Sequence, residues 1–561
     1  MFRSRFGKSL SLLFALALFL SLAGFTSAKP PETIPLQILA VNDFHGALDP
    51  GTTKYQGQLV GGVEYLSTYV SLQRAETEHT VFVSGGDMIG ASPLLSALFH
   101  DEPTINAFNL MGLDYSAVGN HEFDEGVAEL GRMQDGGCHP IDGCLVGNFL
   151  GADFKYMTTN VFKTQNDHTL FSPYKVRSFA GVKVAFIGTS LESTPSIVSA
   201  AGTAGVYFTE EAAAVNATVA EIKEKQPDVK TFVLIIHDGG YQSGDANQCV
   251  DWRDGAFLDV VANIDPAVGL IISAHTHRGY ACVFDDDDND RVVTAAGSNG
   301  NFLTDIDLTI NRQTGEIVTR TVNNIPIFRN VPMDPAMTAL LAPYRQQATP
   351  LANRVIGMIT ADITKPTSSS TMVESALGDV IADAQLAATS DPAYGGAVVA
   401  FMNPGGIREN LTYASSSAGE GDGNVTYGEA FAVQPFSNIL VTMTLTGDQI
   451  KALLEQQWTS ASRMLQVSDG FTYSWSASAP AGSKVSNILI NGVPVDPAAS
   501  YRITCNNFLA GGGDNFTVFK SGTDLLIGAI DLDALVVYFE GFYAQGLAVE
   551  PGPMNRITQL P

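Results

Sequence analysis

Leu36-Gln37-Ile38-Leu39-Ala40-Val41 runs directly into Asn42-Asp43-Phe44-His45-Gly46, and this junction decides how the rest of the chain is read. A short, almost wholly apolar run predicts a strand buried on both faces. An Asp and a His two residues apart then stand where an open α/β sheet presents its functional loops. The pattern recurs. Val81–Ser84 leads into Gly85-Gly86-Asp87, Phe232–Ile236 into His237, and Leu270–Ser273 into Ala274-His275-Thr276-His277. Lys183–Gly188 and Val292–Ala295 are runs of the same kind, and a polar loop carries Gly119-Asn120-His121-Glu122-Phe123-Asp124. With helical stretches between many of them, these runs predict an α/β sheet sandwich over residues 34–330. Residues 331–354 turn helical (Met337–Leu341, then Tyr344–Gln347) and read as a connector. A second α/β unit follows over 355–561, with a long helix predicted at Glu374–Ala388, strands such as Leu440–Leu445, and a closing strand–helix portion.

Length and charge bound what this chain does. At 561 residues and 59.5 kDa it exceeds a single hydrophobic core. It is 45% hydrophobic and 16% charged, a globular balance. A net charge of -27 and a pI near 4.5 leave no electrostatic footprint for gripping duplex nucleic acid or an anionic membrane. Small phosphorylated ligands stay open, because a local cluster of cations overrides a distant field. Arg3, Arg5 and Lys8, the apolar run Ser9–Leu22 and Thr26-Ser27-Ala28 make residues 1–28 a signal peptide cut after Ala28. No later stretch reaches membrane-spanning length and no stable anchor is seen, so a secreted product, periplasmic or extracellular, is expected. Oligomeric state is not readable. Export suits disulfides: Cys138–Cys144 and Cys249–Cys282 are the expected pairs among three possible connectivities, with Cys505 left as a buried thiol. Asp285–Asp288 reads as a solvated loop, and Ser415–Gly423 as a loose surface one.

Five of the nine histidines lie in the strand-end motifs. One such His alone would be read as an ordinary satisfied polar residue; a whole set in one domain changes that reading. Asp43, His45, Asp87, Asn120, His237, His275 and His277 are too many ligands for one ion and fit two divalent ions sharing a carboxylate. Imidazole mixed with carboxylate suits zinc, manganese or iron better than calcium. Two such ions form a device for phosphoryl chemistry: they hold a bridging hydroxide, neutralise phosphate oxygens and align an in-line attack. His121 is left as a non-ligand acid, with Asp124 placed to hold its other ring nitrogen. Support for Asn120 is the plainer role for that pair.

Three stretches of the second unit suit a small phosphorylated ligand. Asn403-Pro404-Gly405-Gly406-Ile407-Arg408 joins close backbone approach to an arginine fit for phosphate. Gln434-Pro435-Phe436-Ser437-Asn438 and Asn507-Phe508-Leu509-Ala510-Gly511-Gly512-Gly513-Asp514 each set a Phe among flexible polar residues. Each Phe alone reads as core. Together, two rings and one Asp can sandwich a base and hold ribose hydroxyls; base–aromatic stacking contributes roughly 1–3 kcal/mol.

These motifs resemble the calcineurin-type metallophosphoesterases, and within them the 5'-nucleotidases, over nearly all of the mature chain. The resemblance implies a four-layer α/β/β/α metallophosphatase sandwich joined by a helix to an α/β substrate domain, with hinge rotation between them. It implies one ion on Asp43, His45 and His277, the other on Asn120, His237 and His275, and Asp87 bridging. It implies base stacking by Phe436 and Phe508, ribose binding by Asp514, an anionic group on Arg408, and a pocket lined by Asn403 and Asn438. Hydrolysis of nucleoside 5'-monophosphates is the activity implied first; a 2',3'-cyclic-nucleotide phosphodiesterase with 3'-nucleotidase activity, or a UDP-sugar hydrolase, uses the same scaffold. The chain departs from the family at His277, where many members carry Gln or Asn. It departs again at Thr371–Asp379, where Met372, Val373, Glu374 and Asp379 stand in a region that carries arginines in the family. Terminal-phosphate recognition is therefore expected to be weaker or differently built.

Overall fold

The computed structural model describes residues 32–561 except 52, 199–200, 253–254, 285–290, 367–371, 417–418, 437 and 459–462. The expected signal peptide, the acidic run Asp285–Asp288, Thr371 and Ser437 lie outside the described residues.

The opening strand, Thr33–Val41, carries apolar side chains on both faces. Ile34, Leu36, Ile38 and Ala40 enter one core, while Leu39 and Val41 enter another. It pairs in parallel with Thr80–Ser84 and antiparallel with Phe302–Asn311. Among the described residues its sheet has six strands, in the order Ile317–Pro326, Phe302–Asn311, Thr33–Val41, Thr80–Ser84, Tyr115–Ala117, Lys155–Met157. A second six-stranded sheet runs Gly279–Phe284, Arg291–Ala296, Val268–Ile272, Thr231–Ile236, Val182–Thr189, Tyr174–Phe179. The sheets pack face to face through Ile38, Val81, Phe186, Val233 and Ile272. Helices Val63–Arg74 and Glu102–Met111 cover one outer face, and Glu211–Lys225 and Gly255–Asn263 the other. The unit is thus the four-layer α/β/β/α sandwich, and its strand ends deliver the motifs to one edge.

Helix Pro335–Ala352 connects the units. Pro335 opens it, and the Asp334 side chain accepts from the Ala336 N–H. Met337, Leu341, Tyr344 and Ala348 recur at helical spacing, and this stripe is buried in the first unit's core. Arg345, beside that stripe, adds ion pairs to Asp49 and Glu64 of the first unit.

The second unit holds a five-stranded mixed sheet, ordered Gln466–Val467, Val399–Met402, Ser500–Asn506, Ile439–Thr446, Thr523–Ile530 among the described residues. The long helix spans Ala376–Thr389, capped by Ser375, and so starts two residues later than predicted. Glu374 is drawn elsewhere: its carboxylate accepts the N–H groups of Arg556 and Ile557. Those residues open a last strand, Ile557–Leu560, which the sequence reading misses. Four residues give too little periodicity, and the parallel partner Phe471–Ser476 is remote in sequence. The structure forms the Cys138–Cys144 and Cys249–Cys282 disulfides and leaves Cys505 buried and free. The two units touch directly: Leu94 packs into the second unit's core beside Ile356 and Leu377, and the turn Thr194–Ser196 lies against Gly513–Asn515.

Candidate active site

All seven strand-end candidates meet at the edge where the two sheets end. One donor atom each from Asp43, His45 and His277 falls within 4.8 Å of the others, and the same holds for Asp87, His237 and His275. Asp87 stands between the groups, with Oδ2 3.1 Å from His237 Nε2 and 3.8 Å from His45 Nε2. Asn120 Oδ1 is 3.1 Å from His237 Nε2. Asp43, His45, Asp87, His275 and His277 all hold left-handed backbone, with φ between 47° and 69°. Non-glycine residues rarely adopt this geometry, and such strain persists where the surroundings impose it.

The tautomers are fixed by neighbours that can only accept. His45 Nδ1 donates to the Gly90 carbonyl at 2.9 Å, so its Nε2 keeps a lone pair. That lone pair faces His277 Nε2 at 3.1 Å. His237 Nδ1 donates to the Gly85 carbonyl at 2.9 Å, which aims its Nε2 at the Asp87 carboxylate. The convergent ring nitrogens and carboxylates thus offer donors that a cation can share. Burial drives His45 and His275 down to about 3, the neutral form a metal requires. At His237 burial also disfavours charge, but Asp87 and then Asp43 outweigh it and hold the ring up at about 10. A proton there takes the position a metal would fill. Asp43 is raised to about 7 by burial, with Asp87 repelling it against the attraction of His237. The donor set fits two divalent ions.

The supporting residues are as specific as the donors. Asn42 Nδ2 donates to Asp43 Oδ2 and to the Gly297 carbonyl, and its Oδ1 accepts the Ala296 N–H at 2.6 Å. Glu122 is buried and accepts the N–H groups of Asp87, Met88 and Gly119 at 2.9, 2.9 and 2.6 Å. Gly119 must lack a side chain, since a Cβ there would sit 2.2 Å from Asp87 Oδ1. The sequence reading quoted Asn42 and Glu122 inside motifs without giving them roles; both are carboxylate-positioning residues. His121 Nδ1 lies 2.8 Å from Asp124 Oδ2. Burial pulls its pKa down, but Asp124 and then Asp87 outweigh that and leave it above its ordinary value.

A cavity of about 1270 Å³ joins this edge to the second unit. His45, Asp87, Asn120, His121, Asp124, His275 and His277 line one wall; Asn403, Arg408, Phe436, Asn438, Phe508 and Asp514 line the other. Asp43 and His237 lie behind the wall, both fully buried. Phe436 stacks on His121 at 5.7 Å between centroids and 18° between planes, and the Arg408 guanidinium lies 5.6 Å above its ring. Phe508 covers Gly513, where a Cβ would fall 2.5 Å from the ring. Asp514 is buried, with Oδ2 accepting from Asn403 Nδ2 at 3.0 Å. Its Oδ1 pairs with Arg463, a cavity residue that no motif reveals. Arg408, Arg463 and Lys365 of the second unit, Arg278 of the first and Arg345 of the connector are the cations lining this cavity among the described residues. Glu374 and Asp379 face Arg556 and the last strand instead of the cavity.

Residues 36–279 match the family model described as calcineurin-like phosphoesterase, and residues 355–521 the one described as 5'-nucleotidase, C-terminal domain. Over 538 residues the chain is 31% identical to Cell wall protein Lmo0130 of Listeria monocytogenes, covering 91% of this chain and 67% of that one. It is 30% identical over 523 residues to Endonuclease YhcR of Bacillus subtilis, covering 91% of this chain and 40% of that one. The chain thus spans well under half of one of these relatives and about two thirds of the other. The solved 5'-nucleotidase precursor from Thermus thermophilus aligns with a TM-score of 0.77 at 27% identity, covering 94% of this chain and 99% of that one. Two domain models in sequence along one chain, meeting at one cavity, settle the kinship: the chain belongs to the 5'-nucleotidase family, whose paired domains are those of a metal-dependent phosphoester hydrolase.

Proposed function

We propose that the chain is an exported nucleotide phosphohydrolase that converts nucleoside 5'-monophosphates to nucleoside and phosphate. The observation that carries this reading is the shared cavity, where converging metal donors face an arginine, two phenylalanines and a buried carboxylate. Asp43, His45 and His277 would hold one divalent ion, Asn120, His237 and His275 the other, and Asp87 both. Bound there, two ions supply Lewis acidity to the phosphoryl oxygens and acidify the attacking water. Arg408 draws the phosphate toward the strand ends, and its cation also favours the neutral form of His45 and His277. His121, oriented by Asp124 and biased toward its charged form, places a proton donor beside the leaving ribose oxygen. Phe436 and Phe508 offer faces for the base. Asp514 keeps free lone pairs for ribose hydroxyls although Arg463 and Asn403 already hold it. Export is supported by the pattern of residues 1–28 and by likeness to a protein named for the cell wall.

A second reading keeps every residue and changes the bond to a 2',3'-cyclic diester or a nucleotide-sugar pyrophosphate. Arg463 favours it by adding a second cation near the ribose end, and so does likeness to a protein named an endonuclease. The test is product formation by residues 29–561 loaded with Mn²⁺ or Zn²⁺. AMP, 2',3'-cyclic AMP, UDP-glucose and a non-nucleotide phosphate ester are compared with and without chelator. Fast, chelator-sensitive AMP hydrolysis supports the first reading, and preference for the cyclic or pyrophosphate substrate supports the second. Turnover of the non-nucleotide ester alone would remove the nucleotide pocket from the account.

A further inference from the structure

Behind the His121–Asp124 pair, on the outside of the first unit, a second knot of imidazoles and carboxylates gathers around His100. His100 follows the short helix Leu94–Ala97, Glu125 follows Asp124 directly, Glu129 lies on helix Val127–Asp135, and His139 sits in the loop closed by Cys138–Cys144. One donor atom from each of His100, Glu125, Glu129 and His139 lies within 4.8 Å of the others. We propose that these four residues bind a further divalent ion of the zinc type, with a structural role.

Two imidazoles and two carboxylates give the four ligands a closed zinc site needs, from ligand types that zinc accepts. His100 Nδ1 lies 3.0 Å from Glu125 Oε2, and its Nε2 2.8 Å from Asp142 Oδ2. His139 stacks on His100 at 3.7 Å between centroids and 16° between planes. His139 Nδ1 accepts the Asp142 N–H at 3.2 Å; turning the ring about its Cβ–Cγ bond breaks that contact to share an ion, which takes the place of the proton His100 Nδ1 holds toward Glu125. Glu125, Glu129 and Asp142 converge here against the cations of His100 and Arg132, so a dication relieves their mutual repulsion. Arg132 engages both Glu129 oxygens, Oε1 twice, and Oε2 keeps a further lone pair for an ion. A route inward exists. Asp101, next to His100, accepts the Gly90 N–H at 3.0 Å, and the Gly90 carbonyl fixes His45. The ion would tether the disulfide loop to the segment that sets both His45 and Asp124.

The experiment uses the full chain loaded with Zn²⁺, desalted, and counted by plasma mass spectrometry beside His139→Gln and Glu125→Gln. Glu125 is half exposed, so its variant tests the site even if the loop variant fails to fold. Each variant is expected to carry one ion fewer per chain than the parent. Each should also gain less melting temperature than the parent when Zn²⁺ replaces chelator, and keep its kcat on AMP. An ion count equal to that of the parent would overturn the proposal. So would an equal gain in melting temperature with Zn²⁺ in the parent and both variants, since the cluster would then be a proton-held ion pair alone.

Discussion

At His121 one ring nitrogen is committed to Asp124, 2.8 Å away, and the ring itself lines the cavity under Phe436. A proton donor held this way contributes about 10²–10⁴-fold to rate. His121→Asn is therefore expected to lower kcat within that range while leaving the ion count and the KM for AMP near their parent values; a lost ion would make His121 a ligand instead. Arg463 makes a separate case. Its pair with the buried Asp514 is charge-assisted, and such bonds contribute about 1.5–3 kcal/mol. Arg463→Ala should raise the KM for AMP about tenfold or more with kcat little changed, and Arg463→Lys should recover part of the loss. A collapse of kcat at constant KM would contradict this role. The two residues also mark what sequence reveals. His121 stands in a contiguous run with Asn120 and Asp124, so its chemistry is legible. Arg463 stands alone in sequence, and only the fold brings it to Asp514.

Among the elements, the strand ends were legible because runs such as Phe232–Ile236 and Leu270–Ser273 announce themselves and their polar residues follow at once. The short strands beside them were not. Tyr115–Ala117 and Lys155–Met157 span three residues each and take their definition from a neighbour in the sheet. Helix Ala376–Thr389 shows what burial does to an acid. Asp379 lies in its first turn with neither carboxylate oxygen hydrogen-bonded. Burial raises its pKa to about 8, against the opposing pull of Arg556 and with the help of Glu374. The fold thus favours the protonated acid. Its contribution is whole below about pH 4 and is lost as pH rises through about 8. Unfolding free energies of the parent and Asp379→Asn should diverge in the variant's favour between pH 5 and pH 9 in urea titrations. A gap that does not change with pH would remove this explanation. Gly119→Ala tests the strand-end edge: the added Cβ meets Asp87 Oδ1, so ion binding and turnover should both fall steeply.

For the whole molecule, the candidate metal cluster gathers segments from Asp43 to His277, which a bound cation would tie together. An ion that binds only the folded chain adds about 2.7 kcal/mol at a hundredfold excess over its Kd. Melting should rise when Zn²⁺ replaces chelator, and His237→Asn should lose part of that rise. The four-layer sandwich and its metal edge could be argued from motifs because each lies within a short stretch. The second unit's pocket residues were legible as stretches, but not its joining to the metal edge, since the walls come from residues hundreds apart in sequence, and the stacking of Phe436 on His121 is a contact between units. The central claim is that strand-end donors hold an ion pair facing a nucleotide pocket from the other unit. Anomalous diffraction at the zinc edge, from crystals grown with Zn²⁺ and a phosphonate analogue of AMP, tests it most directly. The account predicts two peaks about 3.5–4 Å apart, one beside Asp43, His45 and His277 and one beside Asn120, His237 and His275, with the base against Phe436 and Phe508. A single peak at that edge, or an analogue bound away from Arg408 and both rings, would contradict it.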